Sequence, residues 1–444
     1  MDHPIVTRFA PSPTGHMHTG SYRTAFFSYL FAKKHHGKFI LRIEDTDKER
    51  SKQEYTDEIF NVFNIIGISY DEKYIQSEHL PRHQELLHKM IADGTAYVSK
   101  EEAKDGSGTI KEIIRFKNPN KVVVFEDLIR GPIATDTTDL GDFVLAKNIN
   151  EPLFHLVVVI DDHDEGVTHV IRAEEHIANT PRQILIHEAL GFEIPRYAHL
   201  PLVLAPDKTK MSKRKGAIPV VEYLERGYLP AALLNAICLC GWNPGTEQEL
   251  FTREELESVF DLDKVQKSGA VFNEEKLNWF NREYIKKLSH DEQKVSIKKF
   301  LPENLRVIPD GLFDKLVPII IERINYFGEV TKMAEEGEFD YYLVRPVIDM
   351  EKLSWKGEGN DQAKKHLEQV IEIMESIADG EWNAGHIKES LWAYAEQSGR
   401  GNVLWPIRFG LSGKDKSPDP FLLSEILGKD ETVARLREIV AQIG

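Results

Sequence analysis

Apolar residues recur along this chain at spacings that predict a series of elements. Ile5-Val6-Thr7-Arg8-Phe9-Ala10 reads as a short buried strand, Pro11, Pro13 and Gly15 break it, and an apolar-periodic run from Tyr22 to Ala32 predicts a helix. Strand-like runs return at Lys121–Phe125 and Asp142–Leu145, after a Gly/Ser-rich break at Lys104-Asp105-Gly106-Ser107-Gly108. Leu233 to Trp242 is helix-like and apolar. Beyond Pro302 the pattern is almost wholly amphipathic helix, as from Ala363 to Ile377, with breaks expected at Gly380 and Pro406. There is no internal repeat.

Strand, loop and helix at the amino end suggest a phosphate site. The loop delivers His18 and Gly20 to the start of the helix, where free backbone N–H groups and the positive end of the dipole favour an anion. Gly20 lets a nucleotide approach the backbone, and His18 can donate to a phosphate oxygen. Far downstream, five of the eight residues from Lys208 to Lys215 are basic. Such a run repels itself and favours a polyanion. Lys210 and Lys213, three apart, can clamp a triphosphate and stabilise charge developing on a leaving pyrophosphate.

The order and flanks of these signals carry a resemblance. Arg8-Phe9-Ala10-Pro11-Ser12-Pro13-Thr14-Gly15, His18-Thr19-Gly20, Leu41-Arg42-Ile43-Glu44-Asp45-Thr46-Asp47, Val170-Ile171-Arg172-Ala173-Glu174-Glu175, Lys210-Met211-Ser212-Lys213-Arg214 and Leu229 to Asn235 resemble the motifs of bacterial glutamyl-tRNA synthetases. The resemblance covers most of the chain. It implies a class I synthetase: an α/β catalytic domain with a doubly wound parallel sheet of Rossmann type, an inserted subdomain for the tRNA acceptor end, and an all-α carboxyl-terminal half that reads the anticodon. The expected boundaries are 1–93 and 151–218 for the two catalytic halves, 94–150 for the insert, 219–301 for a helical stem-contact domain, and 302–444 for the anticodon domain. Lys264, Lys267, Lys276 and Arg282 are among the basic residues of the stem-contact region.

Composition adds bounds. The 444 residues, 41% hydrophobic and 29% charged, have an ordinary globular make-up with room for two or three domains. No apolar stretch reaches membrane-spanning length, and Met1-Asp2-His3-Pro4 begins neither a signal nor a transit peptide, so a cytoplasmic location without membrane contact is expected. A net charge of −16 argues at face value against a nucleic-acid partner. Screening over roughly 8 Å makes local basic patches decisive instead, and Lys286-Lys287 and Lys298-Lys299 join the Lys208–Lys215 loop as candidates. Trp355, Trp382, Trp392 and Trp405 are candidates for stacking on unpaired bases, although core packing is the commoner role of such residues. Cys238 and Cys240, the only cysteines, read as buried small hydrophobes.

The resemblance also implies residue roles. For ATP, which brings Mg2+ with it, these are His18, Gly20, Glu175, His176, Leu202, Val203, Lys210 and Lys213, with His18, Lys210 and Lys213 catalytic. For L-glutamate they are Arg8, Ser12, Glu44, Phe154 and Arg172. A site that separates glutamate from glutamine must set a permanent cation against the side-chain carboxylate, and a guanidinium fork suits that task. Arg172 is expected there, and Glu44, with Ser12 nearby, at the α-ammonium. An ion pair of purely structural purpose is the alternative for Arg172 and Glu44.

Two departures stand out. The cysteines of the family zinc site have no counterpart near Val98-Ser99, so no zinc is expected. Phe154 stands where family members carry a tyrosine, which removes one hydroxyl from the amino-acid pocket unless another donor such as His155 replaces it. Asp161-Asp162-His163 reads as a strand end with carboxylates on alternate sides and no dedicated metal. The expected partners are tRNA(Glu) and possibly tRNA(Gln), with the protein a monomer. A glutaminyl-tRNA synthetase, a shortened paralogue that modifies a tRNA base, and a silent tRNA-binding scaffold are the rival readings.

Overall fold

The computed structural model describes residues 4–102, 110–209 and 218–443. Internal contacts divide the chain into two units, Met1–Tyr284 and Ile285–Gly444.

In the first unit the strands are β1 (Val6–Phe9), β2 (Lys38–Ile43), β3 (Glu72–Ile75), β4 (Ala96–Glu102), β5 (Ile110–Phe116), β6 (Val122–Asp127), β7 (Gly131–Asp136), β8 (Val144–Ala146), β9 (His169–Ala173), β10 (Arg196–Leu200), β11 (Val203–Leu204) and β12 (Ala270–Val271). Its helices are α1 (Thr19–Lys34), α2 (Gln53–Ile66), α3 (Leu80–Ala92), α4 (Phe154–Asp164), α5 (Thr180–Leu190), α6 (Val220–Glu225), α7 (Pro230–Leu239) and α8 (Arg253–Val259), with α9 (Glu274–Lys287) running across the division.

Seven strands form the main sheet in the order β3-β2-β1-β9-β10-β6-β7. All neighbours are parallel except the β6–β7 hairpin. The order reverses between β1 and β9, the switch point at whose strand carboxyl ends such sheets bind ligands. Every residue of β1 is buried, as are the first four of β9. A strand covered by helices on both faces is expected to be apolar. Arg8 in β1, Arg42 in β2 and Arg172 in β9 break that expectation, and each is buried.

The segment 94–150 contributes to two sheets. β4, β5 and β8 make a small antiparallel sheet of their own, whereas β6 runs beside β10 and extends the main sheet.

The two adjacent aspartates differ from the sequence expectation. Asp161 and Asp162 lie in the last turn of α4 rather than at a strand end. The apolar run Leu156-Val157-Val158-Val159-Ile160 is buried throughout and, by periodicity, suits a buried strand as well as a buried helix. Consecutive helix residues diverge by roughly 100°. Asp161 accordingly meets Tyr74, Gln76 and His83, while Asp162 meets Arg8 and Arg42.

Cys238 and Cys240 are buried and unbridged, as read from the sequence. Among the described residues no helix is long and apolar enough to cross a membrane, and no group of three His, Cys, Asp or Glu side chains could hold a metal ion.

The second unit is helical: α10 (His290–Phe300), α11 (Asp310–Arg323), α12 (Glu329–Glu335), α13 (Asp340–Leu343), α14 (Asn360–Ser376), α15 (Ala384–Ser398), α16 (Arg400–Ser412), α17 (Pro420–Leu427) and α18 (Lys429–Gln442). α14 buries Ala363, His366, Leu367, Val370, Ile371 and Met374, the i, i+3, i+4 stripe the sequence predicts. Gly380 does separate α14 from α15, but Pro406, expected as a break, sits inside α16. The tryptophans are half-buried: the indole N–H of Trp382 donates to Ser424 O and that of Trp405 to Lys352 O.

Candidate active site

β1 ends at Phe9 and the chain returns through a Pro/Gly loop to α1, which His18 caps. Its Nδ1 accepts the Gly20 N–H at 3.1 Å, which leaves the ring proton on Nε2. The Gly20 N–H is therefore already used within the cap. A Cβ at Gly20 would stand 3.0 Å from the His18 ring and 3.5 Å from Val203, so glycine keeps this wall close. Pro219 forms a β-bridge with His18, and Val220 N–H donates to Met17 O. Lys210 and Lys213 lie outside the described residues. Earlier in the chain Leu202 and Val203 line the cleft, and later Pro219 adjoins His18.

That cleft, of about 480 Å³, lies at the switch point. Its walls hold His18, Gly20, Glu175, His176, Leu202 and Val203 of the expected nucleotide set, and Arg8, Ser12, Glu44, Phe154 and Arg172 of the expected amino-acid set. His155 is not part of the wall. Burial pushes its imidazole pKa down to about 4, helped by Arg182 and Arg172, and its ring packs against Phe143 and Phe154.

Beneath the cleft lies a dense ionic cluster. Arg8 Nε donates to Asp162 Oδ1 at 3.0 Å, and Arg42, fully buried, donates to Asp162 at 2.8 Å, Glu165 at 2.9 Å and Glu44 at 3.4 Å. Burial alone would raise the Asp162 pKa, but the two guanidiniums overcome it and hold the carboxyl at about 2. For Glu165 burial wins over Arg42 and lifts the pKa to about 7. Burial also raises Glu44, against the pull of Arg42 and Arg8.

Arg172 is different. Its Nε donates to His199 Nε2 at 3.2 Å, one terminal nitrogen donates to Thr180 Oγ1 at 2.8 Å and to His176 O at 3.5 Å, and its guanidinium lies 5.4 Å from the centre of the Tyr197 ring. Among the described residues no carboxylate pairs with it, so the structural ion pair considered from sequence is absent for Arg172, while Glu44 does pair with Arg42. Burial pushes its pKa down to about 10. An arginine kept charged in a buried wall without a counterion is an anion receptor.

Sequence reasoning missed Arg42, Asp162 and Glu165 as partners, and His199 with Asp127 as supports. One signal was visible, an arginine and a carboxylate inside the apolar run Leu41-Arg42-Ile43-Glu44.

Similarity to known proteins was found at three levels. Residues 4–105 and 98–279 match the family model for tRNA synthetases class I (E and Q), catalytic domain, and residues 269–440 match an anticodon binding domain. A glutamate–tRNA ligase of Desulforamulus reducens is 35% identical over 97% of this chain and 98% of its own length. One from Aquifex aeolicus is 48% identical over 64% of this chain and 67% of its own. The crystal structure of a glutamate tRNA ligase from Elizabethkingia meningosepticum in complex with its amino acid superposes with a TM-score of 0.88 at 30% identity, covering all of both chains.

Proposed function

The chain belongs to the class I tRNA synthetases of the glutamate and glutamine group, and on that premise we propose that it joins L-glutamate to the 3′ end of tRNA(Glu) through a glutamyl adenylate. An oxygen of the glutamate α-carboxylate attacks the α-phosphorus of ATP and pyrophosphate leaves. A terminal tRNA hydroxyl then attacks the adenylate carbonyl, releasing AMP. Mg2+ enters with ATP as part of that substrate.

The observation that carries the amino-acid assignment is Arg172, a buried guanidinium with its partners all neutral, opening on a cleft beside Arg8 and Glu44. Arg172 faces the side-chain carboxylate, Arg8 the α-carboxylate, and Glu44 with Ser12 the ammonium group. Glutamine, lacking the charge, leaves Arg172 unpaired and is refused. At the other end His18 Nε2–H and Gly20 border the triphosphate, Glu175, His176, Leu202 and Val203 border the nucleoside, and Lys210 and Lys213 close on the phosphates. Catalysis is then positioning and electrostatic stabilisation without a covalent enzyme intermediate.

Residues 1–93 and 151–218 serve as the two catalytic halves, 94–150 as the acceptor-end insert, 219–301 as the stem contact and 302–444 as the anticodon reader, in a cytoplasmic monomer. Charging of purified tRNA(Glu) and tRNA(Gln) with labelled glutamate tests the reading. Product with tRNA(Glu) alone, or with both, supports it and tells which tRNA set is served; product with neither, together with no ATP–pyrophosphate exchange in the presence of tRNA, overturns it. Lys213→Ala should lower kcat by on the order of 100-fold while the glutamate KM moves little; equal changes in both would remove Lys213 from the pyrophosphate role.

A further inference from the structure

Arg172 is aimed by a chain of buried groups that reaches back to the β6–β7 hairpin. Asp127, at the end of β6, accepts at Oδ2 from His199 Nδ1 at 2.6 Å and from the His199 backbone N–H at 3.1 Å. Its other oxygen accepts the N–H groups of Ile129 at 3.0 Å and Arg130 at 2.9 Å, so the carboxylate is fully engaged and cannot turn. His199 and Thr180 are both 0% exposed.

The partners of His199 determine its tautomer. A carboxylate can only accept, so His199 carries its proton on Nδ1. A guanidinium can only donate, so His199 Nε2 must hold a bare lone pair toward Arg172 Nε–H. Thr180 Oγ1 accepts from the terminal nitrogen of Arg172 at 2.8 Å and has two acceptors within reach of its own proton, His176 O at 3.2 Å and His199 Nε2 at 3.1 Å. Three acceptors, an imidazole nitrogen, a hydroxyl and a carbonyl, thus fix the guanidinium plane, and none of them carries a negative charge.

We propose that His199 is a positioning residue for the glutamate pocket: locked by Asp127 as a neutral imidazole, it takes the Nε–H of Arg172, orients the fork, and leaves the full positive charge for the substrate's side-chain carboxylate. The proposal rests on the assignment of Arg172 to that carboxylate. A carboxylate in place of His199 would orient the arginine equally well but would neutralise it, as Asp162 does for Arg8. A neutral acceptor held by a buried acid behind it supplies orientation without that neutralisation. It also sharpens discrimination against glutamine, because a cation without an internal counterion loses most when an uncharged side chain replaces the carboxylate.

The test uses the full chain, purified tRNA and two isosteric choices at one position. Asparagine places its amide near imidazole Nδ1, keeping the bond to Asp127 and losing the acceptor for Arg172. Glutamine places its carbonyl near Nε2 and keeps that acceptor. His199→Asn should raise the glutamate KM by about tenfold or more, the effect of losing one hydrogen bond to a charged group. Its KM for ATP and its kcat should stay within about twofold, and His199→Gln should recover most of the loss. If His199→Asn fails to fold, Asp127→Asn gives the same reading. An amide that donates to Nδ1 moves the ring proton to Nε2 and removes the acceptor without changing volume. A glutamate KM unchanged in folded His199→Asn or Asp127→Asn, or equal losses in the asparagine and glutamine variants, would overturn the proposal. Arg172→Gln separates this from failure of the pocket assignment: if that variant keeps the wild-type glutamate KM, the assignment itself is wrong, whereas a large loss there with none at His199 removes only the positioning role.

Discussion

Arg8 and Arg172 sit on neighbouring strands, both buried, both at the carboxyl end of the sheet, yet their surroundings are opposite. Arg8 shares Asp162 with Arg42, inside a cluster that also holds Glu44 and Glu165. Arg172 has three neutral acceptors. A buried cation with its own anion contributes to the fold, since removing either partner strands a charge. One held by neutral groups contributes little to the fold and keeps its field for a ligand. The contrast separates an arginine whose charge is already partnered within the fold from one whose charge is not, a distinction that burial alone does not make.

The contrast fails most visibly if stability does not follow it. Asp162→Asn strands the buried Arg8 guanidinium and takes one of three carboxylates from Arg42, and should cost about 3–5 kcal/mol of unfolding free energy by urea denaturation. Arg172→Gln removes an uncompensated buried charge and should leave stability unchanged or raised; a loss matching that of Asp162→Asn would erase the difference between the two sites.

Function should invert the order. Arg172→Gln should lower kcat/KM for glutamate by about 2–5 kcal/mol, 30-fold or more, read from aminoacylation.

The cluster under Arg8 should also show in pH dependence. Glu165, with a folded pKa of about 7 against an ordinary value of 4.5, keeps its proton after the unfolded chain has lost it. Stability from this group is therefore greatest at low pH and falls as pH rises from about 4.5 to about 7, by up to about 3 kcal/mol. Glu165→Gln should flatten that slope in thermal denaturation at fixed salt, and an unchanged slope would place the proton elsewhere.

The smallest effect belongs to the cleft wall. Phe154→Tyr should tighten glutamate binding by roughly 1.5–3 kcal/mol, because the phenol adds a hydrogen bond to a charged ligand at the cleft wall. An unchanged glutamate KM would mean that position 154 does not face the amino acid.

Much of the site was legible because its residues lie in short motifs at strand ends. Arg8, His18, Glu44 and Arg172 each follow or end an apolar run, and the sheet brings all of those ends to one cleft. What stayed hidden were pairings made across the sheet. Asp162 is 154 residues from Arg8 and 120 from Arg42, and Asp127 is 72 from His199. No local spacing encodes such contacts. The run before Asp161 misled because five buried apolar residues fit either period, and tertiary cover on both sides decided for helix. Pro406 was read as a stop because an internal proline costs a helix one hydrogen bond, a cost that packing along α16 absorbs.

The hairpin that closes the main sheet is more than trim at its edge. Asp127 stands behind His199, and two of its neighbours along the chain anchor that carboxylate, while Arg130 grips the His199 carbonyl and Glu174. Strand side chains alternate faces, so inserting or deleting a single residue ahead of this turn would carry Asp127 to the wrong side. On the proposed role of His199, one amino acid added to β6 before Asp127 would thereby weaken glutamate binding from a place that never touches the ligand.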